Sequence, residues 1–297
     1  MSDTASLRRQ IDSAGDLQSV VRTMKAMAAS GIGQYENAVR ALDDYYRTVQ
    51  LGLAICFRHG EPYREPLASQ SGQKQATVAL VFGSDQGLVG QFNEAMVEFA
   101  VAELGRLPGE KTLWAVGERM RLQLAETALK QEQSFQLPNS IAAIGLLVGQ
   151  ILGELETRRE KGGIGQVLVF HNQPQAGAIY APVCQRLLPL DDAWRRDLAS
   201  IVWPSGNLPE IMNDKQGTLL AFVREYLFVS LFRACAESLA SENASRLAAM
   251  QRAEKNIDEL LDDMNRSYYR LRQGRIDEEL FDVVAGFEAL AGQGGGA

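Results

Sequence analysis

A seven-residue apolar repeat runs through almost the first sixty residues, and no other feature limits the possible folds as much. Positions 7 to 56, taken in alternating steps of four and three, read Leu7, Ile11, Ala14, Gln18, Val21, Lys25, Ala28, Ile32, Tyr35, Val39, Leu42, Tyr46, Val49, Leu53 and Cys56. Only Gln18 and Lys25 interrupt the apolar series. A repeat of 3.5 residues per turn held this long specifies a left-handed coiled coil, because a straight helix would drift away from its partner. A long helix laid on a globular core is the simpler alternative. Gly31 and Gly33 each cost about 1 kcal/mol of helix propensity, so they mark a bend or a close contact.

A partner for this helix stands at the other end of the chain. From Pro209 to Leu290 no further proline occurs, and a helix of roughly 80 residues would reach ~120 Å at 1.5 Å per residue. Ile257, Leu261, Met264, Tyr268 and Leu271 again follow four-three steps. Ile276, Leu280, Val283, Phe287 and Leu290 continue the series after a step of five at Gly274, which turns the stripe toward a different neighbour. Between Ser238 and Asn256, "SLASENASRLAAMQRAEKN" carries small side chains around most of its circumference. A surface helix normally has one apolar stripe and one charged face. The expectation is a thin helix that other surfaces approach on more than one side.

The middle of the chain changes character. "HGEPYREPLASQSGQKQ" reads as a linker. "ATVALVFGSDQGLVGQFNEAMVEFAVAEL" then gives a buried strand at Val78 to Phe82, a glycine turn and a helix. "KTLWAVGERMRLQLAE" repeats that order, "SIAAIGLLVGQILGELETRREKG" is helical, "GQVLVFHNQ" is a third strand and "AIYAPVCQRLLPL" an edge strand. Alternating strands and helices imply an α/β layer with a largely parallel, Rossmann-like sheet. The expected fold class is therefore α/β: an antiparallel two-helix coiled coil from the two ends with an inserted α/β domain. Its parts are 1–58, 59–207 and 208–297.

Several function classes are disfavoured. The net charge of −7 argues against nucleic acid or an anionic membrane surface as the main partner. No apolar run approaches a membrane span, and "MSDTASLRRQ" lacks the apolar core of a signal peptide. Cys56, Cys184 and Cys235 show no paired or metal-ligand spacing, which suits a reducing compartment, and only His59 and His171 are available as imidazole ligands. In "VFGSDQGLVG" the spacings of Gly83, Gly87 and Gly90 miss both the dinucleotide fingerprint and the phosphate-binding loop. A turn fixing helix to sheet is the default, with Asp85 capping the following helix. The acidic residues Asp262, Asp263, Asp277, Glu278 and Glu279, with Arg272 and Arg275 nearby, read as an ion-paired or solvated face. Neither a catalytic site nor a cofactor site is expected.

Three stretches resemble one family. "SLASENASRLAAMQRAEKNIDELLDDMNRSYYRLRQGRIDEELFDVVAGFEAL" is similar to the C-terminal helix of the F-type ATP synthase gamma subunit. "LRRQIDSAGDLQSVVRTMKAMAAS" resembles that family's first helix, and "SDQGLVGQFN" its central strand-turn-helix signature. The resemblance implies a central-stalk rotor, itself no enzyme, one copy per complex. Its coil would sit inside a ring of alpha and beta subunits, and its α/β domain against the epsilon subunit and the membrane rotor ring. Rotation driven by ion flow would then change the catalytic sites of the ring in turn. Motif by motif, the resemblance places Met24 and Lys25 at a catalytic subunit's lever segment. It places Gln273, Asp277 and Glu279, with Arg272 beside them, at the surrounding ring. Asp277 stands where a threonine is common, Gly274 and Arg275 replace small residues, and "SGIGQ" at 30–34 replaces a basic run. These departures fit a divergent branch, such as an alternative ATPase moving another ion. Without a transit peptide, the expected place is the cytoplasmic face of a bacterial plasma membrane. The alternatives are an unrelated coiled-coil adaptor with an inserted α/β domain, and a Rossmann-type enzyme with added helices.

Overall fold

The computed structural model describes residues 2–58, 76–160, 164–190, 192–207, 209–211 and 214–293. The linker expected between the first helix and the sheet lies outside them. Two helices dominate: α1 (Ser2–Arg58) and α6 (Lys215–Gln293). Between them come β1 (Thr77–Phe82), α2 (Phe92–Gly105), β2 (Lys111–Val116), α3 (Glu118–Leu124), β3 (Lys130–Phe135), α4 (Ile141–Glu160), β4 (Gln166–Gln175), β5 (Ala178–Leu188) and α5 (Asp192–Ala199). The chain groups into two compact units, Met1–Met27 with Ala248–Ala297, and Ala28–Leu247, so each long helix belongs to both.

In the larger unit the five strands form one sheet in the order β3-β2-β1-β4-β5. The first four strands run parallel and β5 returns antiparallel along β4. β1 is central and buried at every position, which explains its continuous apolar run: helices cover both faces of the sheet. Alternate residues divide between two cores. Val78, Leu80 and Phe82 join Trp114, Val116, Val167 and Val169 on the face packed with α1, α4 and α6 residues such as Leu53, Ile151 and Leu231. Ala79 and Val81 join Leu113, Ala115, Leu168 and Phe170 on the face covered by Met96, Ala100 and Leu104 of α2 and Met120 and Leu124 of α3.

The long helices run antiparallel in each unit, because partner numbers fall on α6 as they rise on α1. In the larger unit Asp43 meets Arg233, and Tyr45 meets Glu225. In the smaller unit Gln18 meets Asp258, and Arg22 meets Glu254. Val21, Met250 and Ile257 form a small core there, with Met24, Ala249, Ala253 and Leu261 against it. All fifteen repeat positions of α1 are buried or half-buried.

Gly31 marks a close contact within an unbroken α1, since an added Cβ would stand 2.9 Å from Asn243 Oδ1, while Gly33 stands open. One expectation needs correction. The small residues of α6 do not wait for outside surfaces. Ser238, Ala240, Ser241 and Ser245 are each 5% exposed or less, covered by the chain's own larger unit. Past Gly274 the stripe is uncovered in the chain alone, with Ile276, Leu280 and Val283 all exposed. Two elements have no apolar signature, so the pattern misses them. β3, "KQEQSF", is a half-exposed edge strand, and α5 is only eight residues long.

Candidate functional site

The glycine turn after β1 is filled from within. Ser84 N donates to Asn93 Oδ1 at 2.9 Å, and Asn93 Nδ2 donates to Ser84 Oγ at 2.8 Å. A Cβ on Gly83 would come within 2.5 Å of the Met120 Cβ. The backbone donor that a phosphate would need is already bonded, and α3 occupies the space. Asp85 caps a helix, though not the next one: its Oδ1 accepts from Glu118 N, the first residue of α3, at 2.8 Å. Among the described residues, no group of three or more histidine, cysteine or carboxylate side chains is arranged to hold a metal ion. A groove of 660 Å³ between α4, β5 and the start of α6 is lined mainly by leucines and Phe228, with Glu156, Arg159, Arg224 and Glu225 at its rim.

The residues singled out from the sequence fall into two patches of the smaller unit. Met24 packs on the Val21–Met250–Ile257 core. Lys25 Nζ lies 2.5 Å from Glu254 Oε2, and Arg22 Nε lies 3.0 Å from Oε1. These two bonds, Lys25 first, hold the Glu254 carboxyl below its usual range. Arg272, Gln273, Asp277 and Glu279 are exposed on α6. Of these, Glu279 pairs with Arg275 at 3.5 Å. Residue 272 is 18 positions beyond residue 254, about 27 Å along the helix at 1.5 Å per residue, so the two patches are separate.

The second patch sits where α6 outruns α1. The pairings of Gln18 with Asp258 and Arg22 with Glu254 bring α1 to its start near residue 272. Leu271, Ile276, Leu280, Phe281, Val283 and Val284 are 42–72% exposed. Large exposed apolar side chains gathered on one stretch are the usual feature of a binding surface.

The family described as ATP synthase matches residues 3–290 of the chain. The chain belongs to that family. It is 26% identical to the ATP synthase gamma chain of Moorella thermoacetica, over 98% of this chain and 100% of the relative. It is 27% identical to the gamma chain of Granulibacter bethesdensis over the same shares. The rotor of the Euglena gracilis mitochondrial ATP synthase superposes with a TM-score of 0.63 at 15% identity, covering 92% of this chain and 98% of that one. A central-stalk chain of the Tetrahymena thermophila mitochondrial enzyme gives 0.54 at 21% identity, covering 79% and 99%. The chain is thus a gamma-type subunit of the ATP synthase family, with the fold of these central-stalk chains. Among the described residues no helix is long and apolar enough to cross a membrane.

Sequence reasoning passed over the buried polar pairs that join α6 to β4 and to itself. His171 Nε2 lies 2.9 Å from Glu237 Oε2, with both side chains at most 6% exposed. Burial raises the Glu237 carboxyl, but the bonds from His171 and Arg233 outweigh it and hold the group below its usual range. Glu242 pairs with Arg246 at 2.5 Å, yet its burial dominates and pushes its carboxyl up. The available signal was the i,i+4 spacing of Arg233 with Glu237 and of Glu242 with Arg246 on one helix.

Proposed function

We propose that this chain carries torque without itself performing catalysis. Rotation driven by ion flow turns α1 and α6 inside a ring of alpha and beta subunits, and the catalytic sites of that ring make ATP, or hydrolyse it in reverse. The α/β part, 59–207, faces the epsilon subunit and the membrane rotor ring, while 1–58 and 208–297 form the turning coil. One copy serves each complex. With bacterial relatives such as those of Moorella and Granulibacter, the place we assign is the cytoplasmic face of a plasma membrane.

The observation that carries this reading is the uncovered apolar end of α6 from Leu271 to Val284. A surface that is apolar on several sides of a single helix fits an encircling partner better than a flat one. Arg272, Gln273, Asp277 and Glu279 supply polar contacts on the same stretch. Met24 and Lys25 form the second level, where a ring carboxylate must compete with Glu254 for Lys25.

The test is reconstitution. The purified chain should turn over no ATP, and should restore hydrolysis when mixed with alpha and beta subunits. Truncation after Asp263 should weaken coupling between hydrolysis and ion transport while the larger unit stays folded by circular dichroism. ATP turnover by the chain alone at the rate of the assembly, or full coupling after the truncation, would overturn the proposal.

A further inference from the structure

One i,i+4 row of α6 points polar groups into the larger unit. Arg233 donates from Nη1 to Asp43 Oδ1 of α1 at 3.0 Å and from Nε to Glu237 Oε1 at 2.8 Å. Glu237 is held from β4 by His171 at 2.9 Å and by Gln173 Nε2 at 3.3 Å. Ser241 Oγ donates to the Asn172 carbonyl of β4 at 3.1 Å. Ser245 Oγ donates to the Val89 carbonyl of the β1–α2 turn at 2.5 Å. Glu237, Ser241 and Ser245 are all buried, at 4%, 0% and 5% exposure.

Apolar contact resists separation but has no direction, so a helix packed on a sheet by apolar contact alone can slide and roll in small steps. Hydrogen bonds weaken steeply when bent and thus fix both height and angle. Burying an ionic group does little for stability on balance, since desolvation offsets most of the attraction. A row of four polar anchors, two of them ionic, reaching α1, β4 and the β1–α2 turn therefore calls for a role beyond stability.

We propose that Arg233, Glu237, Ser241 and Ser245 form a torsional key. It fixes the rotational and axial register of α6, and through Asp43 of α1, against the sheet, so that turning the α/β unit turns the helices without slip. These are positioning residues, and their role rests on the rotor reading above.

Ser238 provides the control: it lies in the same stretch, is 1% exposed, and its Oγ has no hydrogen-bond partner among the described residues. The whole complex, reconstituted in vesicles, is assayed for ATP hydrolysis and for ions pumped per ATP against an opposing gradient. We expect E237Q/S241A/S245A to lower ions pumped per ATP at least twofold while hydrolysis persists, and S238A to match the wild type. The singles S241A and S245A should each show a smaller drop in the same direction, and they serve if the triple variant does not assemble. Wild-type coupling in assembled triple or single variants overturns the key. An equal loss in S238A also overturns it, since packing alone would then account for the effect. The truncation after Asp263 is run alongside: full coupling there removes the rotor reading itself, whereas impaired coupling there with normal coupling in the row variants removes only the key.

Discussion

Three glycines of α1 present the same substitution, Gly to Ala, in three different surroundings. At Gly33 an added Cβ would meet no atom within 4 Å, so alanine should gain the full helix propensity of about 1 kcal/mol. At Gly31 the added Cβ would stand 2.9 Å from Asn243 Oδ1. Asn243 Nδ2 donates to the Leu239 carbonyl at 2.8 Å, so the side chain yields only by straining that bond, and the gain should be roughly cancelled. At Gly52 the Cβ would fall 2.4 Å from Phe222 Cε1 and Cζ, on a ring packed against the main core. Overpacking of this kind costs about 1–3 kcal/mol. After the propensity gain, G52A should be less stable than wild type by about 1 kcal/mol, in a range of roughly 0–2. G33A and G52A should then differ by about 2 kcal/mol, which corresponds to several degrees in melting temperature for a chain of this size. Thermal unfolding of the three variants, followed at 222 nm under identical conditions, gives the order G33A, G31A, G52A from most to least stable. If G52A melts with G33A, the close approach of α1 to Phe222 is wrong, and the two-helix register with it.

Other substitutions test separate parts of the structure. Leu88 has φ of 62° and is 62% exposed, so L88G should relieve left-handed strain and stabilise the chain by about 0.5 kcal/mol, while the β-branched L88V should destabilise it by more than about 1 kcal/mol; equal midpoints in urea would refute this. D85A removes the cap of α3 and should cost about 1 kcal/mol, with D85N losing less; hydrogen exchange of the α3 amides should rise in D85A first. Because the Glu254 carboxyl is depressed by Lys25 and Arg22, its contribution is in place above the ordinary carboxylate range and disappears as pH falls through the depressed value. Wild type should therefore melt above E254Q at pH 7 and converge with it at strongly acid pH; a constant gap down to pH 3 would show that the ion pairs are not its source.

The sequence alone determined the elements with strong periodicity. A 3.5-residue repeat held over fifty residues calls for a long partner, and the C-terminal stretch repeats it. "TVALVF" likewise declares a central strand, because a run without polar alternation needs cover on both faces. Edge strand β3 and helix α5 bury too little to leave such a signature. Tertiary structure alone decided what the small residues of α6 are for. Whether Ser241 and Ser245 lie open to another subunit or donate to carbonyls of β4 and the β1–α2 turn depends on partners 69 and 156 positions away, and helix periodicity holds no information at that range. The same holds for Asp85, whose capped helix begins 33 residues later, and for the end of α6, where Ile276, Leu280 and Val283 are exposed.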